Sequence, residues 1–338
     1  MSTEVREPQA PGPTRRFRIT SVEVLCVVLL LALVGQAAFV RILDVPAIRT
    51  GATVFVAVCI QALPFLVVGV LISGAIAAFV SADALRRLLP RRAALAVPVA
   101  GVAGVALPTC ECAAVPVARR LIAQGAPSAV ALTFLLAAPA VNPIVLVATA
   151  VAFPGEPAMV AARFLGSMAT AVVMGWLWAR FGKAQWFAEH ALRRLPEPAG
   201  GRSRWRVFAE TARADLVDAG GFLVIGGLAA AALNVLVPRE WVNAVGDQIV
   251  LGILVMAVLA VLLALCSEAD AFVAASLSAL PLLPRLVFLV VGPAVDVKLI
   301  SLQAGTFGRA FAVRFAPLTF VVAIACAVLA GIALGVGR

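Results

Sequence analysis

The sequence predicts an all-α polytopic membrane protein. It reads as two inverted repeats, each of about three spanning helices plus one broken or re-entrant helical hairpin, preceded by one extra N-terminal helix. Three observations carry this. The chain is 63% hydrophobic and 13% charged over 338 residues, where a soluble domain is nearer half apolar and a quarter charged. Apolar runs of the ~20 residues that a helix needs to cross a bilayer recur along its length. Three motifs also recur, in the same order and at nearly the same spacing, in the two halves of the chain.

Taken in order, residues 1–19 form a polar tail, with Arg15, Arg16 and Arg18 ahead of the first apolar run. That run, Val22 to Val40, exceeds the ~7–15-residue core of a signal peptide and suits a transmembrane helix. The basic residues before it hold the tail in the cytoplasm. Further runs follow at 53–80, 128–152, 158–180, 217–237, 284–306 and 312–336. Two more, 93–121 and 247–279, are apolar but interrupted, the first at "LPTCEC" and the second at "LCSEAD". The chain therefore divides into a cytoplasmic tail (1–19), an extra transmembrane helix (20–43), a first repeat (52–180), a cytoplasmic basic linker (181–211) and a second repeat (212–337).

The repeat rests on three anchors. "FLVVG" at 65–69 matches "FLVIG" at 222–226, "CECAAVPVA" at 110–118 stands opposite "CSEADAFVA" at 266–274, and "APAVNP" at 138–143 stands opposite "GPAVDV" at 292–297. From Phe65 to Cys110 to Pro139 the steps are 45 and 29 residues; from Phe222 to Cys266 to Pro293 they are 44 and 27. Self-similarity at a fixed period is a signature of repeated architecture.

The charges choose the topology. "RRLLPRR" (86–92), "ARR" (118–120) and the linker, with Lys183, Arg193, Arg194, Arg202, Arg204 and Arg206, are basic and belong inside; "FPGEP" (153–157) has no basic residue and belongs outside. These agree if 93–121 enters and leaves on the inner side as a hairpin. Residues 93–108 would cover only about 24 Å as helix, marginal for a crossing. The rival reading is a broken helix that crosses fully. Interrupted segments at membrane depth are tolerated only where they are buried in protein or line a cavity.

The interruptions hold the candidate chemistry. Cys110, Glu111 and Cys112 are clustered, and in an extended segment residues i and i+2 point the same way. Thiolates suit soft or borderline species such as zinc, copper(I) or trivalent arsenic. Further donors would come from the other repeat: Cys266, Glu268 and Asp270. A metal would take Cys110, Cys112, Glu268 and Asp270; the alternative is that the cysteines are small buried hydrophobes. Acids at membrane depth mark pathways by default, so Glu111, Glu268, Asp270 and Asp296 are candidates to bind or to relay protons. Asp296 and Lys298 form either a structural ion pair or a coupling pair. Asn142, the counterpart of Asp296, lies between Pro139 and Pro143; its amide and the carbonyls freed by proline would coordinate a cation or bond a substrate, or the segment is a simple kink. Pro108, Pro116, Pro139, Pro143 and Pro293 are the expected helix-breaking residues. Gln61 and Asp218 are weaker, repeat-related candidates.

Other classes are excluded. The net charge of +10 sits between apolar runs, where it sets topology, and does not indicate nucleic acid. The single histidine, His190, lies in the polar linker. There is no CxxC, Walker A or GxSxG motif, so no cofactor is implied.

"PTCECAAVPVARRLIAQGAPSAVALTFLLAAPAVNPIVL", with "CSEADAFVAAS" and "LVVGPAVDVKL", resembles the signature of the ArsP-type predicted permeases (UPF0718, or DUF318), which include organoarsenical efflux permeases. The resemblance runs from about residue 52 onward. It implies a plasma-membrane permease with a cysteine-containing first motif, matched here by Cys110 and Cys112, and some members are associated with zinc homeostasis. Glu111 between the cysteines departs from the pattern. The expected function is a secondary transporter, exporting a thiophilic metal or metalloid species such as an organoarsenical or a divalent metal, coupled to protons or membrane potential. Alternatives from other classes are a membrane thiol oxidoreductase using Cys110 and Cys112, and a subunit that works only with a partner. The expected partners are the lipid bilayer, a small ion or metalloid substrate and, in a homo-oligomer, a second copy. The expected location is the inner membrane, multi-pass, with the N-terminus cytoplasmic.

Overall fold

Apolar segments in lipid must satisfy every backbone group internally, and helices do so. The computed structural model describes residues 46–79, 90, 93–105, 110–187, 203–236, 248–267, 269–277 and 280–336, and contains no strand among them. The tail (1–19), the extra helix (20–43), Cys26, Pro108, Glu268 and residues 188–202 of the linker lie outside the described residues. Residues Thr50–Arg338 form one contact unit, which holds everything discussed below; of Met1–Arg49 only the start of the first helix is described.

The helices form two series of the same order. The first is α1 (Pro46–Phe79), α2 (Ala93–Val105), α3 (Glu111–Ala123), α4 (Ser128–Val141), α5 (Pro143–Ala152) and α6 (Pro157–Phe181). The second is α7 (Arg204–Leu236), α8 (Ile249–Leu263), α9 (Ala269–Ser276), α10 (Leu282–Ala294), α11 (Val297–Thr306) and α12 (Arg309–Ala333). The long members pair in length: 34 and 33 residues for α1 and α7, and 25 each for α6 and α12. The basic residues Arg204 and Arg206, expected in the linker, already belong to α7, because its amphipathic start continues without a breaker into the apolar run.

Small residues set the packing. Gly51 faces Ala231 and Val235, while Gly74 faces Phe208 and Ala212, so α1 and α7 run antiparallel. Gly166 faces Ala327 and Ala330, whereas Trp178 meets Phe311 with ring centroids 5.1 Å apart, so α6 and α12 are also antiparallel. The end of α6, the start of α12, the start of α7 and the end of α1 therefore share one end of the bundle, here the linker end; Phe79 meets Trp205 there at 5.6 Å. α2 starts at that end, where Trp176 donates to the Ala94 carbonyl. It finishes at mid-depth, where Gly104 abuts Ala137 and Ala138.

Among the described residues, five stretches are long and apolar enough to cross a membrane, including 128–152 and 282–306, which contain the α4–α5 and α10–α11 breaks. These two are 78% and 83% buried in the protein, against 31%, 50% and 33% for the unbroken three. The irregular backbone is thus inside, as lipid requires. Val56, Ile60, Val102, Val250, Val321 and Leu329 are exposed on the outer helices and face lipid. The chain is a multi-pass, all-α membrane protein.

Positive φ at glycine serves several turns, two of which reverse the chain into the long helices. Gly155 (φ 86°) lets the chain reverse between α5 and α6, and Gly308 (φ 105°) does so between α11 and α12.

Candidate functional site

Four helices begin at mid-bundle, two of them with a side chain that caps the start. Asn142 is extended (φ −70°, ψ 155°); its Oδ1 accepts from Val145 N–H at 3.0 Å and its Nδ2 donates to the Ala138 carbonyl at 3.2 Å. One amide thereby tends both sides of the α4–α5 break. At the twin break Asp296 caps α11 through Leu299 N–H at 2.5 Å. Cys110 is the extended residue before α3, and its carbonyl accepts from Ala113 and Ala114 N–H at 3.1 Å. The Cys266 carbonyl does the same for Ala269 and Asp270 at the start of α9. Glu111, Asp270 and Asp296 all sit in first turns or caps, where the helix dipole favours negative charge.

The prolines divide. Pro143 starts α5, where its missing N–H costs nothing. Pro116, Pro139 and Pro293 lie inside α3, α4 and α10, which run on past them. The chain parts only after Val141 and after Ala294, since the ring obstructs the preceding turn and leaves the following one intact.

α3 packs on α11, and α9 on α5, so the four helix starts meet in crossed pairs. Lys298 Nζ donates to Glu111 Oε1 at 2.5 Å, and Ser267 Oγ donates to Glu111 Oε2 at 3.3 Å. The expected Asp296–Lys298 contact is present but looser, at 3.6 Å. Lys298 thus has Glu111, 187 positions away, as its closer partner. On the other side of Ser267, Arg163 Nη2 donates to Asp270 Oδ1 and Oδ2 at 2.8 and 2.9 Å and to the Ser267 carbonyl at 2.8 Å. Its Nη1 donates to Thr149 Oγ1 at 2.8 Å. All these side chains are buried. With all ionised, Glu111, Asp270 and Asp296 against Arg163 and Lys298 leave one negative charge in excess among the described residues.

Arg163, Ser267 and Thr149 escape a reading of the motifs. Arg163 had a signal: it is a lone arginine six residues into α6, and an intramembrane charge needs a partner. Ser267 and Thr149 had none.

Cys110 and Cys112 lie within hydrogen-bonding reach of one another, and Cys112 and Cys266 within electrostatic reach of Lys298. None of the described cysteines is in a disulfide. Only Cys110 is extended; Glu111 and Cys112 are already in α3, so the two thiols do not project along one extended edge. Among the described residues no three His, Cys, Asp or Glu side chains converge as a metal site. Asp270 is taken up by Arg163.

A second charged cluster lies at the far end of α3. Arg119 Nη1 stands 3.5 Å from Asp218 and 3.9 Å from Asp215, and Ser73 Oγ donates to Asp215 Oδ2 at 2.5 Å. Arg119 and Arg120 are buried, so "ARR" ties α3 to α1 and α7 and does not lie free as a solvent-side topology signal. The Gln61 side chain lies outside the described residues.

A family profile described as a predicted permease matches residues 48–332. A UPF0718 protein of Bacillus subtilis (strain 168), YcgR, is 34% identical over 287 residues, covering 82% of this chain and 94% of that protein. A protein of Streptococcus mutans serotype c (strain ATCC 700610 / UA159), named as a putative two-component membrane permease complex subunit, is 31% identical over 288 residues, again 82% and 94%. No solved structure matches.

Proposed function

Because the chain belongs to the predicted-permease family, it is a membrane permease and not an enzyme, and on that premise we propose that it is a secondary transporter whose site lies where the four half-helices meet. The observation that carries this is the buried network Asp296–Lys298–Glu111–Ser267–Arg163–Asp270, strung between the two helix series beside Cys110, Cys112 and Cys266. Discontinuous helices with ionisable groups at their starts are the usual setting of transporter sites. The antiparallel course of α1 against α7 and of α6 against α12 supports an inverted relation between residues 52–180 and 212–337. The start of α2 and the Arg119 end of α3, both at the linker end, support a re-entrant hairpin. The basic linker supports placing that end in the cytoplasm of an inner-membrane protein.

The cargo we favour is a thiophilic cation or metalloid, either an organoarsenical or a divalent metal, moving outward. Its soft centre would meet Cys110 and Cys112, with Glu111, Glu268, Asp270 and Asp296 balancing charge or relaying protons. The excess negative charge suits a cationic cargo or a proton. Vesicles reconstituted with the purified chain test this against zinc, copper, cadmium, arsenite and methylarsenite, with and without a pH gradient. C110S/C112S is expected to abolish movement of the transported species; full transport at equal reconstitution overturns the thiol role. Transport by the chain alone would also dismiss the need for a second subunit, the arrangement that the Streptococcus relative's name suggests.

A further inference from the structure

Lys298 stands between two carboxylates that differ in distance and in place. Glu111 starts α3, in the first helix series, and accepts from Lys298 Nζ at 2.5 Å. Asp296 sits two residues before Lys298 on the same segment, with its Oδ2 3.6 Å away. Asp296 Oδ1 is committed to capping α11, whereas Oδ2 is buried and accepts no hydrogen bond. A buried oxygen left without a donor is costly, and an ammonium offers three N–H groups. Lys298 is fully buried, so no bulk water competes for it.

Resting on the transport reading above, we propose that Lys298 is a two-position tether between the helix series: it rests on Glu111 while α3 and α11 are packed as they are here, and it is handed to Asp296 when α3 shifts against α11. Charge balances through the step. Glu111, Asp296 and Lys298 together carry one net negative charge before and after it; Lys298 keeps a carboxylate partner throughout, and Glu111 keeps the Ser267 hydroxyl. The movement is short, from 3.6 Å to a charge-assisted bond of about 2.8 Å. Displacement of α3 against α11 opens the Glu111–Lys298 contact and leaves the Asp296–Lys298 contact intact, because only the former joins two helices. Gly226 of α7 packs directly on the Lys298 backbone and holds the base of the side chain while its tip moves.

Among the described residues, the titratable or charged groups around the trio are Cys112 on α3, Cys266 ahead of α9 and, across Ser267, Arg163 and Asp270. The described charged residues of α7, from Arg204 to Asp218, and those of α12, Arg309 and Arg314, lie toward the linker end.

A double-mutant cycle on the purified full chain tests the hand-over, read as shifts in melting temperature. D296N changes only the Oδ2 charge, because asparagine keeps the cap, as Asn142 does at the twin break. Alone, D296N is expected to shift the melting temperature less than E111Q. In the E111Q background, where Lys298 has moved to Asp296, adding D296N should produce a larger shift than it does in the wild type. Equal shifts in the two backgrounds overturn the proposal. Should E111Q fail to insert, E111D, whose shorter arm also releases Lys298, provides the second background. In vesicles carrying zinc or methylarsenite, D296N, which removes the second resting place of Lys298, is expected to slow transport about tenfold or more; an unchanged rate also overturns the proposal. Failure of every cargo to move would refute the transport reading, and the stability cycle would still decide the hand-over.

Discussion

Replacing Arg163 with methionine tests the reading of the network most directly. The guanidinium is fully buried, with Asp270 on both carboxylate oxygens at 2.8 and 2.9 Å, the Ser267 carbonyl at 2.8 Å and Thr149 Oγ1 at 2.8 Å. Methionine fills much of the volume and removes the charge, so Asp270 is left buried without its guanidinium. Breaking a buried pair from one side costs about 3–5 kcal/mol, whereas replacing both partners by apolar groups is often neutral. R163M should therefore lower the folded-to-unfolded ratio by two to more than three orders of magnitude, at roughly 1.4 kcal/mol per decade. R163M/D270L should recover most of that loss. The assay is SDS titration of the purified chain in mixed micelles, comparing midpoints of the wild type, both single variants and the double. If R163M lies within about 1 kcal/mol of the wild type, or if the double variant is no better than R163M, the pair is not the closed, desolvated contact on which the reasoning rests.

Two further substitutions probe the frame around the site. A Cβ at Gly226 would stand 2.8 Å from Lys298 Cα and 3.2 Å from its carbonyl oxygen, backbone atoms that cannot turn aside. G226A should destabilise by about 1–3 kcal/mol through overpacking; an unchanged melting temperature would show that α7 does not seat Lys298. N142A removes the cap of α5 and should cost about 1 kcal/mol, with N142D restoring most of it; equal loss in both would show that the amide does more than cap.

Much of the site was legible as positions and little of it as partnerships. The breaks at Cys110, Asn142, Cys266 and Asp296 are visible because polar residues and prolines interrupt apolar runs that otherwise have no reason to stop. Asp296 and Lys298 were expected to pair because they are two residues apart. Glu111 is the closer partner of Lys298 because α3 packs on α11, a contact that no local pattern encodes. Arg119 and Arg120 looked like a topology signal because arginines beside an apolar run usually face the cytoplasmic surface. Asp215 and Asp218, on a different helix, draw Arg119 inward.

The sequence by itself determined that the chain is helical, that it lives in a bilayer, and where its helices are interrupted. These follow from hydrophobic length and from residues that lipid cannot accommodate, both local properties. Only the tertiary structure decided which buried charge meets which: Arg163 with Asp270, 107 positions apart, and Lys298 with Glu111. In a low-dielectric interior each buried charge must find a partner, but many pairings satisfy that demand on paper. The choice is made by which helices close packing brings together.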